Sequence, residues 1–406
     1  MKQKIINFIN SLLLVNLIVF ITLAPFSKKA VKISFIFAFL LWIIINVLEF
    51  KLSFYKHLIA KTPINIQLLF FLFALSLSTL FSLDPYYSHA VFFERYLGYI
   101  LFFCLGGYLA RNMRNTTILI GTVIFGGILI GVGGIWDHLN LGTEYCFYLG
   151  PGRLQTSFGQ SISFPRFLVL YVPLSCSILF FARNKILKLG ALVNTIFLLP
   201  CLIFNATRAG LVAVMISILI VSFVKNRKVT LLLLTFFWIS FLLPALGIKE
   251  RVLTLFNYLS WGERVPLWNM AIRMFKDYPV LGVGLGMHKK LLHQYWEASP
   301  LFTAFRIWHM HNTYLEILAE AGIVGISAFL WIFIRFFKHA FKTVKNIEGE
   351  QQAILLGLIG SVIAALILAL SASNISAGVQ ETVMFWFLFG IAAGLASVKK
   401  EQIKDL

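Results

Sequence analysis

Long apolar runs separated by short polar stretches dominate this chain. A helix needs about 20 mostly apolar residues to cross roughly 30 Å of hydrocarbon, and long runs without polar alternation favour helices over strands. The pattern therefore predicts an all-α polytopic membrane protein with about 12 transmembrane helices. The predicted spans are Ile5–Ala24, Val31–Leu48, Gln67–Ser82, Val91–Ala110, Thr117–Ile135, Phe164–Phe181, Ile186–Phe204, Ala209–Val224, Val229–Leu246, Thr313–Ile334, Ile354–Ser371 and Val383–Val398.

The composition excludes the soluble classes of protein. Hydrophobic residues make up 59% of the 406 residues, charged residues make up 13%, and the mean hydropathy is +0.87. A soluble fold of this composition lacks the polar surface that would cover its apolar side chains. The net charge of +19 would suggest nucleic acid in a soluble protein. Here the positive-inside bias of membrane proteins explains it, and we expect no nucleic-acid partner.

Basic residues indicate the orientation of the spans. If both termini lie in the cytoplasm, every internal cytoplasmic connection carries at least two Lys or Arg residues, as the positive-inside rule requires. The connection between spans nine and ten, on the outer side, is much longer than a connection needs to be, and long connections rich in aromatic residues usually carry function. The chain then divides into transmembrane spans one to nine (1–246), an outer loop with amphipathic helices (247–312), and spans ten to twelve with a cytoplasmic tail (313–406).

Ionisable residues at the edges of apolar runs mark candidate sites, because a charge is costly inside a membrane. Under this orientation they lie at the outer ends of spans, and none lies near a span midpoint, where a secondary transporter would be expected to have them. We therefore expect a polar chamber at the outer leaflet, covered by the long loop. For each residue alone, snorkelling at the interface is an equally good interpretation. The residues are Glu94, Arg95, Arg166, Arg208, Glu316, Glu320 and Glu381.

Glu316 has a more specific structural interpretation. The stretch Thr313-Tyr-Leu-Glu316 matches a capping box, in which a Thr and a Glu side chain satisfy backbone N–H groups at the start of a helix. We favour this capping role for Glu316 over a role in chemistry.

The first of three motifs, Asn205-Ala-Thr-Arg208-Ala-Gly210, lies between the seventh and eighth spans. Arg208 is predicted at a helix N-terminus, where the helix dipole and unpaired N–H groups favour an anion. A guanidinium there can donate two parallel hydrogen bonds to phosphate oxygens. Alone, this motif is a weak indication of function.

The second motif, Arg264-x-x-x-Trp268, lies in the long loop. The apolar spacing after it predicts a short amphipathic helix that has Arg264 in its first turn and ends at Pro279. The apolar face of this helix is predicted to consist of Trp268, Ala271, Ile272 and Phe275.

Three glycines follow this helix in the stretch Gly282-Val-Gly284-Leu-Gly286. They resemble a phosphate-binding loop, but no strand precedes them and no helix pattern follows, so we reject a dinucleotide site. We expect these glycines to form tight turns against the membrane surface.

The third motif is Trp308-His309-Met-His311-Asn312, followed after nine residues by Gly322-x-x-Gly325. His311 is predicted just before a span, with its ring toward the chamber, where a neutral imidazole can act as a base. Gly322 and Gly325 lie one helical turn apart and are expected to let a neighbouring helix approach closely.

The two histidines of this motif also have the spacing of a metal-binding pair. No carboxylate or cysteine lies at a supporting distance in the sequence, so we expect no metal and no cofactor. Two histidines beside Asn312, in the same compartment as two arginines, favour acid–base chemistry instead. The sequence leaves open which of His309 and His311 faces the substrate.

In this order and on this topology, the three motifs resemble the bacterial O-antigen ligase family, whose relatives include O-antigen polymerases and protein O-oligosaccharyltransferases. That family has an Arg in a T-R-A/G context at the outer end of a span, which Arg208 matches. It has a second Arg early in its large periplasmic loop, which Arg264 matches. It also has a His-Asn followed by nine residues and G-x-x-G, which the stretch from His311 to Gly325 matches in full.

The resemblance implies a lipid-linked-oligosaccharide-dependent glycosyltransferase in the bacterial inner (cytoplasmic) membrane, with its active site on the periplasmic side. The donor would be a glycan on undecaprenyl diphosphate, and the acceptor a sugar hydroxyl of lipid A–core, in an inverting and metal-independent reaction. Arg208, Arg264 and His311 would be the catalytic residues. The substrate-binding residues would be Arg95, Arg166, Trp268, His309 and Asn312.

Two alternatives stay open. An O-antigen polymerase or a protein O-oligosaccharyltransferase would use the same donor with another acceptor, although the protein-directed enzymes tend to carry a larger C-terminal soluble region than this sequence has after its last span. A lipid-linked glycan flippase or transporter would perform no covalent chemistry, and the confinement of charges to the outer ends disfavours it.

Overall fold

The computed structural model describes residues 2–49, 62–140, 164–204, 208–242, 264–296, 309–376 and 380–397. Within these ranges every regular element is helical and there is no strand. Nine of the helices in this part of the chain are long and apolar enough to cross a membrane. The prediction of an all-α polytopic membrane protein is confirmed.

A helix of the structure coincides with each predicted span, and three further short helices, α10 to α12, lie in the predicted loop. In chain order the helices are α1 (Lys2–Leu23), α2 (Lys28–Glu49), α3 (Asn65–Leu80), α4 (Pro85–Leu109), α5 (Met113–Asn140), α6 (Phe164–Phe181), α7 (Lys185–Phe204), α8 (Arg208–Lys225), α9 (Arg227–Leu242), α10 (Val265–Asp277), α11 (Met287–Lys290), α12 (Leu292–Tyr295), α13 (Thr313–Val344), α14 (Gly349–Leu368) and α15 (Gln380–Ala396).

Some predicted features lie outside the described residues. They are the end of the ninth predicted span, the loop residues 247–263 and 297–308 with Trp308, and the first three residues of the Asn205-Ala-Thr-Arg208 motif.

Helix α13 extends ten residues beyond the end predicted for its span, from Ile334 to Val344. Its buried face continues through Phe336, Ala340 and Val344, which recur every four residues and pack in the main core. The added turns are therefore held by packing rather than by the length of the apolar run.

Glycines allow the closest approaches between helices of the bundle. A Cβ added to Gly106 of α4 would lie 2.3 Å from the carbonyl oxygen of Phe387 in α15, and one added to Gly390 of α15 would lie 2.1 Å from that of Phe103 in α4. Helices in lipid gain little from burying apolar surface against each other, so small residues that let backbones touch supply much of the packing.

Hydrogen bonds between helices show their relative directions. Ser361 of α14 donates to the Leu170 carbonyl of α6, and Ser177 of α6 donates to the Ala353 carbonyl of α14 at 2.8 Å. These two helices are therefore antiparallel. The start of α13 lies beside the end of α14, because Thr313 N donates to the carbonyl that follows α14 at 2.9 Å.

The start of α6, the start of α13 and the end of α14 thus share one end of the bundle, which we call the site end. Arg166 at the start of α6 pairs there with Glu381 at the start of α15. Arg95 of α4 lies within electrostatic range of Glu316 and Glu320 of α13. The structure therefore gathers the ionisable residues of four helices at one place.

The contact between α4 and α15 generates the first testable prediction. Gly106→Ala should lower the melting temperature and the yield of monodisperse protein in detergent, because its new methyl group would overlap a backbone oxygen that cannot move alone. Gly98→Ala in the same helix is the matched control, since a Cβ there meets nothing within 4 Å. Equal stability of the two variants would contradict the close helix contact.

Candidate active site

The frame of the site consists of a break in α13 and of residues 279–288 of the loop, which fill this break. We call these residues the loop segment. Gly322 has φ 62° and ψ −163°, which interrupts the helix. Val283 N and Gly284 N donate to carbonyls on one side of the break at 3.0 Å each, and Ile323 N on the other side donates to Pro279 O at 2.9 Å. Buried backbone groups need such partners. The break and the loop segment therefore stabilise each other.

The three glycines of the loop segment adopt left-handed backbone conformations. Gly282, Gly284 and Gly286 have φ of 71°, 107° and 73°, which other residues rarely adopt. A Cβ on Gly282 would lie 2.3 Å from the carbonyl carbon of Glu320. The prediction of tight turns is correct, but the turns are packed against α13 rather than against a membrane surface.

The predicted role of Gly322 and Gly325 as a contact surface for a neighbouring helix is wrong. A Cβ on Gly322 would lie 2.3 Å from Val280 O, so the loop segment approaches this glycine. At Gly325 the nearest atom is the Cβ of Ala321 in the same helix. A G-x-x-G pattern has the same spacing in both arrangements, so the sequence did not distinguish them.

Buried serines hold the other side of the loop segment. Ser78 at the end of α3 donates to the Glu320 carbonyl at 2.7 Å, and Ser88 at the start of α4 donates to Leu285 O at 3.0 Å. The hydroxyl of Ser82, between the two helices, lies 2.7 Å from that of Ser88. The sequence analysis missed these serines, for which the only signal is small polar residues at the end of an apolar run.

A buried ion pair fixes the loop segment to α13. The Glu320 carboxylate accepts from Gly286 N at 2.8 Å and hydrogen-bonds to His288 Nδ1, and both side chains are almost fully buried. Burial opposes protonation of His288, but the charge of Glu320 and this hydrogen bond outweigh it, so the pKa of His288 lies above its usual value. His288 was not singled out from the sequence.

Asn312 caps the start of α13. Its side-chain oxygen accepts from Tyr314 N at 3.0 Å and Leu315 N at 3.1 Å, and its Nδ2 donates to Leu370 O at 3.1 Å. The predicted capping box at Thr313 is wrong, because Asn is a strong N-cap and starts the helix one residue earlier. These bonds define a structural role for Asn312, whose substrate contact stays a prediction.

Glu316 points into the protein, although its carboxylate also accepts a long hydrogen bond from Met310 N, two residues before the cap, at 3.4 Å. Its carboxylate accepts from Ser373 Oγ at 2.5 Å and from Ser376 Oγ at 2.9 Å, and the residue is 1% exposed. The two serines follow α14 and bring a third polar segment to the site end. Glu316 therefore belongs to the polar interior of the site.

His311 combines a strained backbone with a neutral side chain. It has φ 51°, a left-handed conformation that side-chain-bearing residues rarely adopt outside functional sites. Burial, and then the positive charges of Arg264 and Arg166, lower the pKa of His311 to about 4. The imidazole is therefore neutral and able to accept a proton at physiological pH. The structure brings His311, Arg264 and Arg166 into one electrostatic neighbourhood.

His309 lies in the same neighbourhood and is also half-buried. Burial lowers the pKa of His309 to about 3, against the opposing charge of Glu316. Its Nδ1 is buried and has no hydrogen-bond partner in the described part of the chain. Both histidines of the motif are thus neutral bases at pH 7.

Arg166 is held by a buried partner. Arg166 Nη1 lies 2.5 Å from Glu381 Oε1, with the two side chains 7% and 1% exposed. A buried charge needs such a partner, because desolvation is costly. A ligand that binds Arg166 would therefore share its guanidinium group with Glu381.

Arg264 stands at the N-cap position of α10, directly before the helix. The helix ends at Asp277, close to the predicted end at Pro279. Its buried face is not the predicted one of Trp268, Ala271, Ile272 and Phe275 and, of these four, contains only Ala271. The buried residues are Leu267, Met270, Ala271 and Met274.

The buried face of α10 differs from the predicted one because this helix carries apolar residues on two adjacent stripes. In addition, the loop has a hydrophobic core of its own, which selects one of the stripes. That core includes Val283, Met287 and Met310, and the flexible methionines of α10 fill it. Trp268 packs half-buried at its edge. Arg264, at the start of α10, therefore lies beside the small core that also contains Met310, the residue before His311.

Arg95 lies in a π-helical turn of α4, Phe92–Leu97. Such turns are rare and occur frequently at functional sites. Lys289 of α11 lies within electrostatic range of Arg95, and burial together with the charge of Arg95 lowers the pKa of Lys289. The sequence analysis missed Lys289, although a basic pair directly after a glycine-rich turn was a signal for it.

Arg208 is also at the site end. Near the opposite end of α8, Lys225 hydrogen-bonds to Gln352 of α14, and Val221 lies against Gly360. Helix α8 is therefore antiparallel to α14. At about 1.5 Å per residue, Arg208 lies about 20 Å beyond Val221 toward the site end. The contacts described above do not join Arg208 to His311, so the proximity of these two residues stays a prediction.

One group of side chains has the composition of a metal site. Ligand atoms of His288, His309 and Glu316 lie within 4.8 Å of one another. The sequence analysis found no carboxylate at a supporting spacing, because His288 and Glu316 come together only through the folded loop. Two histidines and a carboxylate form a common zinc ligand set, so these are the residues that would hold a metal ion.

Comparison with known proteins supports the family resemblance. A family model described as O-antigen ligase matches residues 193–330. This region contains Arg208, Arg264, His311 and the Gly322 break, but it is less than half of the chain. No curated protein matches the chain. Residues 193–330 are thus similar to O-antigen ligases, which supports a glycosyltransferase-like enzyme.

The ion pair at Glu320 generates a prediction about stability. Glu320→Gln should destabilise the docked loop by about 3 kcal/mol, because it leaves a buried His288 without its charged partner. The melting temperature in detergent should fall, and trypsin should cleave faster within the loop. Glu94→Gln, which changes an exposed carboxylate of α4, is the control and should behave like wild type. Identical cleavage of both variants would show that the pair does not hold the loop.

Proposed function

We propose, from the resemblance to O-antigen ligases, that this protein is a lipid-linked-oligosaccharide-dependent glycosyltransferase. The proposed donor is a glycan on undecaprenyl diphosphate, and the proposed acceptor is a sugar hydroxyl of lipid A–core. The observation that carries the proposal is the neutral, half-buried His311 in the field of Arg264 and Arg166. A base beside cationic groups is what glycosyl transfer from a diphosphate requires.

We further propose that the protein lies in the bacterial inner membrane with both termini in the cytoplasm and the site end facing the periplasm. Residues 1–246 and 313–406 then contribute the membrane spans, and 247–312 form the periplasmic loop. No nucleotide sugars are present in the periplasm, so a donor used there must arrive on a lipid. A site at the level of the outer leaflet can admit such a lipid sideways.

In the proposed reaction, His311 accepts the proton of the acceptor hydroxyl while the hydroxyl oxygen attacks the anomeric carbon of the donor glycan. The bond from that carbon to the diphosphate oxygen breaks, and the diphosphate leaves with the electron pair. Attack from the side opposite the leaving group inverts the anomeric configuration. Arg208 and Arg264 stabilise the charge that develops on the leaving diphosphate.

Further substrate contacts are assigned to residues around this centre. Arg95 and Arg166 would bind phosphate oxygens, the latter together with its partner Glu381. Trp268 and His309 would contact the sugars, and Asn312 would act mainly through the cap that sets the position of His311.

We propose that the reaction needs no metal. The charge that a metal would supply to the leaving group is available from guanidinium groups. A divalent cation at His288, His309 and Glu316 would also be repelled by Arg95, Arg166 and Lys289, which lie within electrostatic range of members of that group.

The test is transfer by the purified protein in the presence of EDTA, with lipid-linked polysaccharide and lipid A–core as substrates. We expect a long glycan to appear on lipid A–core in gel analysis with wild-type protein, and no product with His311→Ala, because the base is lost. Rates should fall by at least about 100-fold, the usual contribution of a general base. His293→Ala, an exposed histidine of the same loop, should retain activity.

Each contrary outcome has a defined meaning. Elongation of the lipid-linked glycan without attachment to lipid A–core would identify a polymerase. Activity that EDTA abolishes and zinc restores would overturn the metal-independent mechanism. Normal transfer by His311→Ala would remove this residue from the chemistry.

The pKa of His311 generates a prediction about pH dependence. Since the imidazole must be neutral to act, kcat/KM should stay constant from pH 7 downward and fall only near pH 4, well below the usual histidine value of 6.5. Arg264→Gln should move this fall in kcat/KM to higher pH, because one of the positive charges that oppose the protonation of His311 is gone. An acidic limb near pH 6.5 in the wild-type profile would show that a differently placed group is the base.

A further inference from the structure

Two cations from different elements, Arg95 of α4 and Lys289 of α11, lie within electrostatic range of each other at the site end, and only Arg95 was expected from the sequence. Gly286 of the loop segment lies against Val91 of α4, since a Cβ on this glycine would be 2.8 Å from Val91 Cγ2. Arg95 lies one turn beyond Val91 on the same face of α4. Lys289 lies one turn beyond Gly286. The loop segment and α4 therefore run side by side from the contact between Gly286 and Val91 toward the two basic residues.

The carboxylates near this pair already have other donors. Glu320 accepts from Gly286 N and His288, and Glu316 accepts from Ser373 and Ser376. Both glutamates attract Arg95 and Lys289 at longer range. The charges of the two glutamates can therefore hold Arg95 and Lys289 at the site end, although their oxygens accept most of their hydrogen bonds from other groups.

The position of Lys289 is fixed by its neighbours. The preceding residue, His288, is fully buried against Glu320, and Gly286 begins the short helix α11 in a left-handed conformation. The following residue, Lys290, has a separate role: its Nζ lies 2.5 Å from Asp84 and 4.4 Å from the Tyr87 ring centroid, and its side chain is 46% exposed. Adjacent lysines thus occupy different environments.

We propose that Lys289 and Arg95 form an anion-binding subsite that takes one phosphate group of the donor diphosphate. Two like charges within electrostatic range of each other in a partly buried place repel each other. A phosphate bound between them would remove that repulsion and accept hydrogen bonds from both. The Lys ammonium supplies a compact charge and the guanidinium a planar pair of donors. This assignment rests on the proposed function and adds Lys289 to the residues that bind its donor.

The test uses inorganic pyrophosphate as the probe and the full-length protein in nanodiscs of uncharged lipid. Lys289→Gln should weaken pyrophosphate binding about tenfold in calorimetry and raise the KM for the lipid-linked donor by a similar factor, with a smaller change in kcat. Lys289→Arg should restore most of the affinity. Lys290→Gln removes a charge one residue away and should change binding less than about twofold.

Melting temperatures distinguish a binding role from a folding role, because Lys289→Gln should melt within a degree or two of Lys290→Gln. Wild-type pyrophosphate affinity in Lys289→Gln, or equal losses in both variants, would overturn the subsite. Pyrophosphate binding that depends on Lys289, in a protein that transfers no glycan to any acceptor, would reject the proposed function and leave the anion subsite standing. Glycan transfer with Lys289-independent binding would reject the subsite alone.

Discussion

The backbone hydrogen bonds across the Gly322 break are the constraint on which the rest of the site depends. A helix that stops inside a bundle exposes carbonyl and N–H groups that neither lipid nor apolar side chains can satisfy. Here residues 279–284 of the loop satisfy them, so this part of the loop belongs to the bundle. His288 and Lys289 follow directly after this junction, and the small core of the loop connects Arg264 to it through Val283.

Electrostatic pairing in a place of low polarity then determines what each ionisable group can do. Glu381 and Glu320 each hold one cationic partner and Glu316 is held by serines, so the buried carboxylates are stabilised by groups of the protein itself. Among the described residues, no carboxylate hydrogen-bonds to His311. Glu316 attracts it only at longer range, and burial with the charges of Arg264 and Arg166 keeps it neutral. Burial opposes the protonation of both rings. The charge and hydrogen bond of Glu320 nevertheless raise the pKa of His288, whereas Arg264 and Arg166 lower the pKa of His311 further.

The sequence was sufficient for the helices, because apolar runs of this length have few alternatives in lipid, and every predicted span coincides with a helix. It also indicated His311 and Arg264, which the structure brings into one neighbourhood. It was not sufficient for the face of α10 or for Gly322, because two apolar stripes or a G-x-x-G pattern fit several arrangements. His288, Lys289 and the serines were missed since their partners are distant in the chain, and only the folded loop brings them together.

The region that resembles O-antigen ligases cannot form this site alone. It contains Arg208, Arg264 and His311, yet Arg95, Arg166 and the serine donors to Glu316 come from helices and turns outside it. The groups that would react and the groups that set their charge are thus contributed by different parts of the chain. Because a buried cation or base depends on its surroundings for its protonation state, the likeness of 193–330 to the family does not by itself define the site. The helices outside that region help to set the charge of its residues.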